Sequence, residues 1–111
     1  MARLLAPRFY EVSPTETLTI TITGPDDPLV ALDDTTLEVK EGQPFQLTPQ
    51  MLSGVGAHHR LGMVLLFPSD DTTTPGYTIT VDGPAGTLET VKKPAPDLDH
   101  TAKVQLDIRV A

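Results

Sequence analysis

Alternation of apolar and polar positions with period two runs through this chain and predicts β-strands. It is cleanest at 18–23, where Leu18, Ile20 and Ile22 face one way and Thr19, Thr21 and Thr23 the other. Tyr77 to Val81 repeats the pattern, as does the last run, with Val104, Leu106, Ile108 and Val110 set against Lys103, Gln105, Asp107 and Arg109. Leu37 with Val39, and Phe45 with Leu47, are shorter examples. Each predicts a strand with one buried and one wet face. The threonine row Thr17, Thr19, Thr21 and Thr23 suits such a wet face, where the β-branched methyl packs and the hydroxyl is solvated.

Turn chemistry separates these runs. Gly24-Pro25-Asp26-Asp27-Pro28 ends the first, Glu41-Gly42 divides two short ones, Pro75-Gly76 opens another and Asp82-Gly83-Pro84 closes it. Breaks every ten residues or so predict one all-β domain over 1–111, an antiparallel sandwich of about seven or eight short strands, with a barrel as the other closed solution. Two segments depart from the pattern. Thr48-Pro49-Gln50-Met51-Leu52-Ser53-Gly54 places a capping threonine before a proline and a glycine at the far end, which predicts one helical turn over 49–53. In 61–67, Leu61, Met63, Leu65 and Phe67 fill one face, but Val64 and Leu66 are apolar too. A strand apolar on both faces lies near the centre of a sheet with its second face covered, either by the chain itself or by another subunit. Val64 and Leu66 are therefore the interface candidates. The runs at 19–25 and 78–84 are alike, but strands draw on a restricted alphabet and no repeat is assigned.

Residues 37–54, Leu-Glu-Val-Lys-Glu-Gly-Gln-Pro-Phe-Gln-Leu-Thr-Pro-Gln-Met-Leu-Ser-Gly, resemble the opening of bacterial immunoglobulin- or cadherin-like sandwich repeats. In those repeats a Val-x-Glu-Gly strand-turn precedes a Leu-Thr-x-x-x-Leu turn. The resemblance implies an immunoglobulin-like sandwich, with a jelly-roll-like one as the neighbouring architecture. The acidic calcium-linking cluster such repeats carry next is replaced here by Val55, Gly56, Ala57, His58 and His59.

Composition narrows function chiefly by exclusion. The 111 residues carry a net charge of −7, with eight basic side chains, and only Lys92 and Lys93 are adjacent. Nucleic acid needs clustered cations, so no nucleic-acid partner is expected. Aromatic residues make up 5%, too few for the stacking platforms of sugar or single-strand binding. Cysteine is absent, which removes disulfides and thiolate metal sites. No apolar stretch is long enough to span a bilayer, and Leu4, Leu5 and Ala6 before Pro7 are too short for a signal-peptide core. No membrane insertion is expected, and a cytoplasmic setting follows by default unless the chain is an excised domain.

Candidate chemistry is sparse. The histidines are His58, His59 and His100. In a loop, His58 and His59 could join His100, with Asp97 or Asp99 as a carboxylate ligand, to hold zinc; on a strand, adjacent residues point apart and cannot share one ion. Aspartates come paired at 26–27, 33–34 and 70–71, and at 97 with 99. Converging loops bearing two pairs would supply oxygens for calcium, although none has the spacing of a dedicated calcium loop, and Asp also serves turns. Ser13, Ser53 and Ser69 lie in no nucleophile motif, and Gly54-x-Gly56 is no dinucleotide fingerprint. The expectation is a non-catalytic structural or protein-interaction module, binding a protein partner or itself. The alternative is a divalent-metal or small-ligand binder using the Asp-rich loops and His58, His59 or His100.

Overall fold

A computed structural model describes residues 1–24, 27–67, 76–94 and 101–111. The described residues form ten strands and no helix: β1 (Arg3–Ala6), β2 (Phe9–Val12), β3 (Leu18–Thr23), β4 (Leu29–Leu32), β5 (Thr35–Leu37), β6 (Phe45–Leu47), β7 (His58–Leu66), β8 (Tyr77–Gly83), β9 (Gly86–Lys93) and β10 (Thr101–Val110). Six make one sheet in the order β1-β2-β10-β7-β4-β5, and four make a second in the order β6-β3-β8-β9. This is an all-β, two-sheet arrangement, mostly antiparallel, of the kind a β-sandwich requires.

Two expectations need correction. The described residues hold ten strands rather than about seven or eight, because β1 and β4 are only four residues long and too short to display alternation; the strand expected at Leu37 and Val39 is β5, Thr35–Leu37, with Val39 buried beyond its end. One pairing is parallel: β2 runs alongside β10 with Tyr10 opposite Ile108 and Val12 opposite Val110. A parallel pair needs a long crossover, and here the whole intervening chain supplies it.

The alternating runs explain the core. Leu18, Ile20 and Ile22 on β3 and Ile79 and Val81 on β8 are buried, while the threonines between them face outward. Opposite them lie Leu61, Met63 and Leu65 of β7, Leu106 and Ile108 of β10, and Tyr10 and Val12 of β2. All belong to one hydrophobic cluster drawn from both sheets. Each fully buried aliphatic side chain contributes about 1.5–3 kcal/mol. The similar runs in β3 and β8 do not lie in facing sheets; they are antiparallel neighbours, Ile20 opposite Val81 and Ile22 opposite Ile79.

A polar bridge also ties the two sheets. The Tyr10 hydroxyl donates to Glu89 of β9, and the Arg8 N–H donates to the same carboxylate oxygen at 3.0 Å. Burial and the neighbouring carboxylate push the Tyr10 phenol far above its ordinary range. At 49–53, where one helical turn is expected, the chain makes a hydrogen-bonded turn. The Leu52 N–H donates to the Thr48 carbonyl at 3.1 Å, and the Met51 N–H to the Thr48 hydroxyl at 3.4 Å. Leu52 is thereby drawn into the core. Among the described residues no helix is long and apolar enough to cross a membrane.

Candidate functional site

The long strand β7 lies inside the six-stranded sheet, paired with β10 over nine residues and with β4 over four. Its inner residues join the core, so its outer residues define the surface of that sheet. Two rows cross it there. Lys103, Val64 and Leu29 stand side by side, and next to them Gln105, Gly62, Ala31 and Thr36. Gly62 and Ala31 carry almost no side chain, so the second row is a dent. Above it lies a groove of about 660 Å³ with a mainly apolar lining.

The surface in and beside this groove is where the fold departs from ordinary surface chemistry. Leu29 is 60% exposed and Leu66, two residues beyond Val64 on the same face, is 39% exposed. Val64 itself is half-buried. Gly62 has no left-handed backbone, and a Cβ there would meet nothing within 4 Å. Neither conformation nor crowding therefore calls for glycine at this position. A glycine inside a strand weakens it and commonly marks a place where another backbone or ligand comes close.

A second, polar hollow of about 580 Å³ lies at one end of the same sheet, lined by Phe9, Asp33, Asp34, His58, His59 and Asp107 among others. Its geometry follows from the hairpin joining β4 to β5. Asp33 takes φ of 53° in the two-residue turn, a conformation Asp tolerates. From there its carboxylate accepts the Arg60 N–H at 3.0 Å and lies 2.8 Å from His59 Nδ1. The hydrogen bond with His59, then that from Arg60, holds the Asp33 carboxyl below its ordinary range. The His59 side chain is 12% exposed, and its Nε2 is buried without a hydrogen-bond partner among the described residues.

The candidate ligands are not brought together as a loop site would require. His58 and His59 are the first residues of β7, not a loop. Alternation sends His58 outward, opposite Arg109, and His59 inward, opposite Ile108. His100, Asp97 and Asp99 lie outside the described residues, as do Asp26, Asp70 and Asp71. Asp27 is tied to the turn at 40–42, accepting the Glu41 N–H at 3.1 Å and facing Lys40. Among the described residues no three His, Asp or Glu side chains converge on a metal position.

The Asp33–Asp34 pair, a candidate for calcium in the sequence, is found in the β4–β5 turn with Asp33 bound to His59 and Arg60, whereas Gly62 and Leu29 carry no motif that marks them. For Leu29 a signal existed in the apolar run Leu29-Val30-Ala31-Leu32, which like 61–66 is apolar at both parities. Glu11 is a further organising residue of the outer face. It accepts from Arg3 Nε and Arg109 Nε, each at 3.0 Å, and the Arg109 hydrogen bond leads in holding its carboxyl below the ordinary range. Comparison with family models, with curated proteins and with solved structures finds no match to this chain, so what the site does is argued from its own geometry.

Proposed function

We propose that this chain is a non-catalytic protein-interaction module, a sandwich of immunoglobulin- or jelly-roll-like type that self-associates through the outer face of its six-stranded sheet. The observation that carries the proposal is the groove over Gly62, lined by Leu29 and Val64, with Leu66 exposed further along the same face of β7. Sheets stack about 10 Å apart when side chains interdigitate. A row reduced to glycine and alanine admits the exposed leucines of a second copy, and the repeated contact is self-complementary, as a two-fold interface must be. The finer fold type is supported by a chain that passes repeatedly between the two sheets, and by the resemblance at 37–54.

The test is solution mass by size-exclusion chromatography with light scattering over a wide concentration range, for the parent and for Val64→Lys. A parent dimer or larger assembly that the variant reduces to monomer supports the proposal. A parent that stays monomeric at high micromolar concentration sinks it.

A second reading, a divalent-metal or small-ligand site, is favoured by one observation: Asp33 fixes the His59 ring through Nδ1 and leaves Nε2 without a partner among the described residues. Histidine ligands are commonly oriented in this way by a carboxylate. Thermal unfolding with zinc or calcium, and again with EDTA, decides it. Binding to the folded state raises the midpoint by mass action, and an unmoved midpoint in every case removes this reading.

A further inference from the structure

Strand β10 is only half covered on one of its sides. It pairs with β7 from Thr101 to Arg109, but with β2 only from Asp107 to Val110. Successive residues of a strand direct their N–H and C=O groups to alternate sides. The Val110 N–H donates toward β7, to Ala57, whereas the Asp107 N–H donates the other way, to Arg8. The register with β7 runs without a shift. The backbone groups of Lys103 and Gln105 therefore point to the β2 side, where among the described residues no strand lies. Main-chain donors and acceptors left in this state form a template for an added strand.

That open half-edge borders a pocket of about 460 Å³ between the two sheets, lined by Arg8, Tyr77, Lys93, Lys103, Gln105 and Asp107 among others. Its charge differs from the rest of the molecule. Of the eight basic residues, Arg3, Lys40, Arg60 and Arg109 have carboxylate partners. Among the described residues the side chains of the other four, Arg8, Lys92, Lys93 and Lys103, have none, and three of these residues line this one pocket. The single acid there, Asp107, faces Arg60 at 3.7 Å and accepts from the Gln105 side chain at 3.2 Å. In a chain of net charge −7, positive charge without carboxylate partners among the described residues is gathered beside an open stretch of strand backbone.

We propose that this half-edge of β10 takes an added strand from a partner protein, an extended acidic segment whose backbone pairs with Lys103 and Gln105 and whose carboxylates face Arg8, Lys93 and Lys103. Main-chain hydrogen bonds supply affinity in strand addition, and side-chain complementarity selects the partner. This site is distinct from the Gly62 groove, although Lys103 borders both.

The probes are two labelled peptides, one alternating valine with glutamate and one alternating valine with lysine, titrated with the intact chain by fluorescence anisotropy. Hydrogen exchange of the Lys103 and Gln105 amides is followed alongside. The glutamate peptide is expected to bind, to weaken as salt rises, and to slow exchange at both amides; the lysine peptide is not. Lys93→Glu is expected to weaken binding about tenfold without changing the solution mass, which separates this site from the self-association face. Lys92→Glu makes the same charge change on the opposite face of β9 and leaves binding unaltered. The proposal is overturned if neither peptide binds, if both bind alike, or if the two amides keep their exchange rates.

Discussion

Replacing Gly62 with alanine should strengthen the fold and weaken the assembly at once. The residue sits mid-strand in β7, facing outward, with no positive φ and open space where a Cβ would go. Glycine inside a strand costs roughly 0.5–1 kcal/mol relative to alanine through the freedom lost on folding. Nothing in the groove offsets that cost in a single chain. Gly62→Ala should therefore raise the stability of the isolated chain by about that amount, a thermal midpoint some 2–5 °C higher for a domain of this size. In a face-to-face pair the same methyl group stands where the facing side chain has to enter. Gly62→Val would fill the dent further and suit a strand better still. Association itself stabilises the folded state by mass action, so midpoints must be compared at a dilution where the parent is monomeric. Thermal unfolding at that dilution and light scattering at high concentration together give the test. A midpoint that falls by more than about 2 °C would refute the claim that the backbone does not need glycine here. An unchanged mass in both variants would refute the claim that the groove is the contact.

Three other outcomes follow from the frame of the fold. Tyr10→Phe keeps the buried ring and removes only the hydroxyl that reaches Glu89; a hydrogen bond to a charged group contributes about 1.5–3 kcal/mol, and urea unfolding should show a loss of that order. A loss below about 0.5 kcal/mol would mean water serves the carboxylate equally well. Gly24→Ala should destabilise by more than about 2 kcal/mol, because Gly24 has φ of 111° and a Cβ would collide with the Gly76 carbonyl; near-parent stability would contradict that packing. Glu16 accepts the Ser13 and Ala2 N–H groups, each at 2.8 Å, and its carboxyl is pushed from 4.5 down to about 2, with the Ser13 bond the leading cause. A carboxyl depressed in the folded state adds stability that is complete above pH 4.5 and is lost as pH falls toward 2. Unfolding midpoints between those pH values should fall less steeply for Glu16→Gln than for the parent, and identical slopes would exclude Glu16 as the cause.

The strands legible in the sequence are those with three or more apolar residues at strict alternation: β3, β8 and β10. There the hydrophobic pattern and the buried face are one and the same thing. Strand β7 is legible as an interior strand of its sheet, whereas the cover expected over its second face is not supplied by the described residues, where Val64 is half-buried and Leu66 exposed. The sequence could not display β1 and β4, whose few residues leave alternation unresolved, and for β5 it points to Leu37 and Val39 where the strand is Thr35–Leu37. Nor could it display β9, a sheet edge whose Gly-Thr-Leu-Glu-Thr-Val-Lys-Lys carries a single fully buried residue, Val91. The parallel pairing of β2 with β10 depends on chain crossing and leaves no local trace. The same holds for the candidate sites. Val64 and Leu66 were visible as surplus apolar positions, but Gly62 gains meaning only from Ala31 beside it on a different strand. Likewise Arg8, Lys93 and Lys103 are far apart in sequence and look scattered until the two sheets gather them.

The place of β10 also governs the order in which this protein can be made. The β1–β2 pair touches the rest of its sheet only through β10, and β10 is also the longest partner of β7. A ribosome-bound chain that stops short of Thr101 therefore holds two separate fragments of one sheet. Each fragment presents an unpaired flank, and that of β7 is nine residues long. Closure joins residues about a hundred positions apart, Glu11 beside Arg109, so the search is slow by the standards of small domains. Until it ends, the nascent chain is at its most vulnerable to pairing with neighbours.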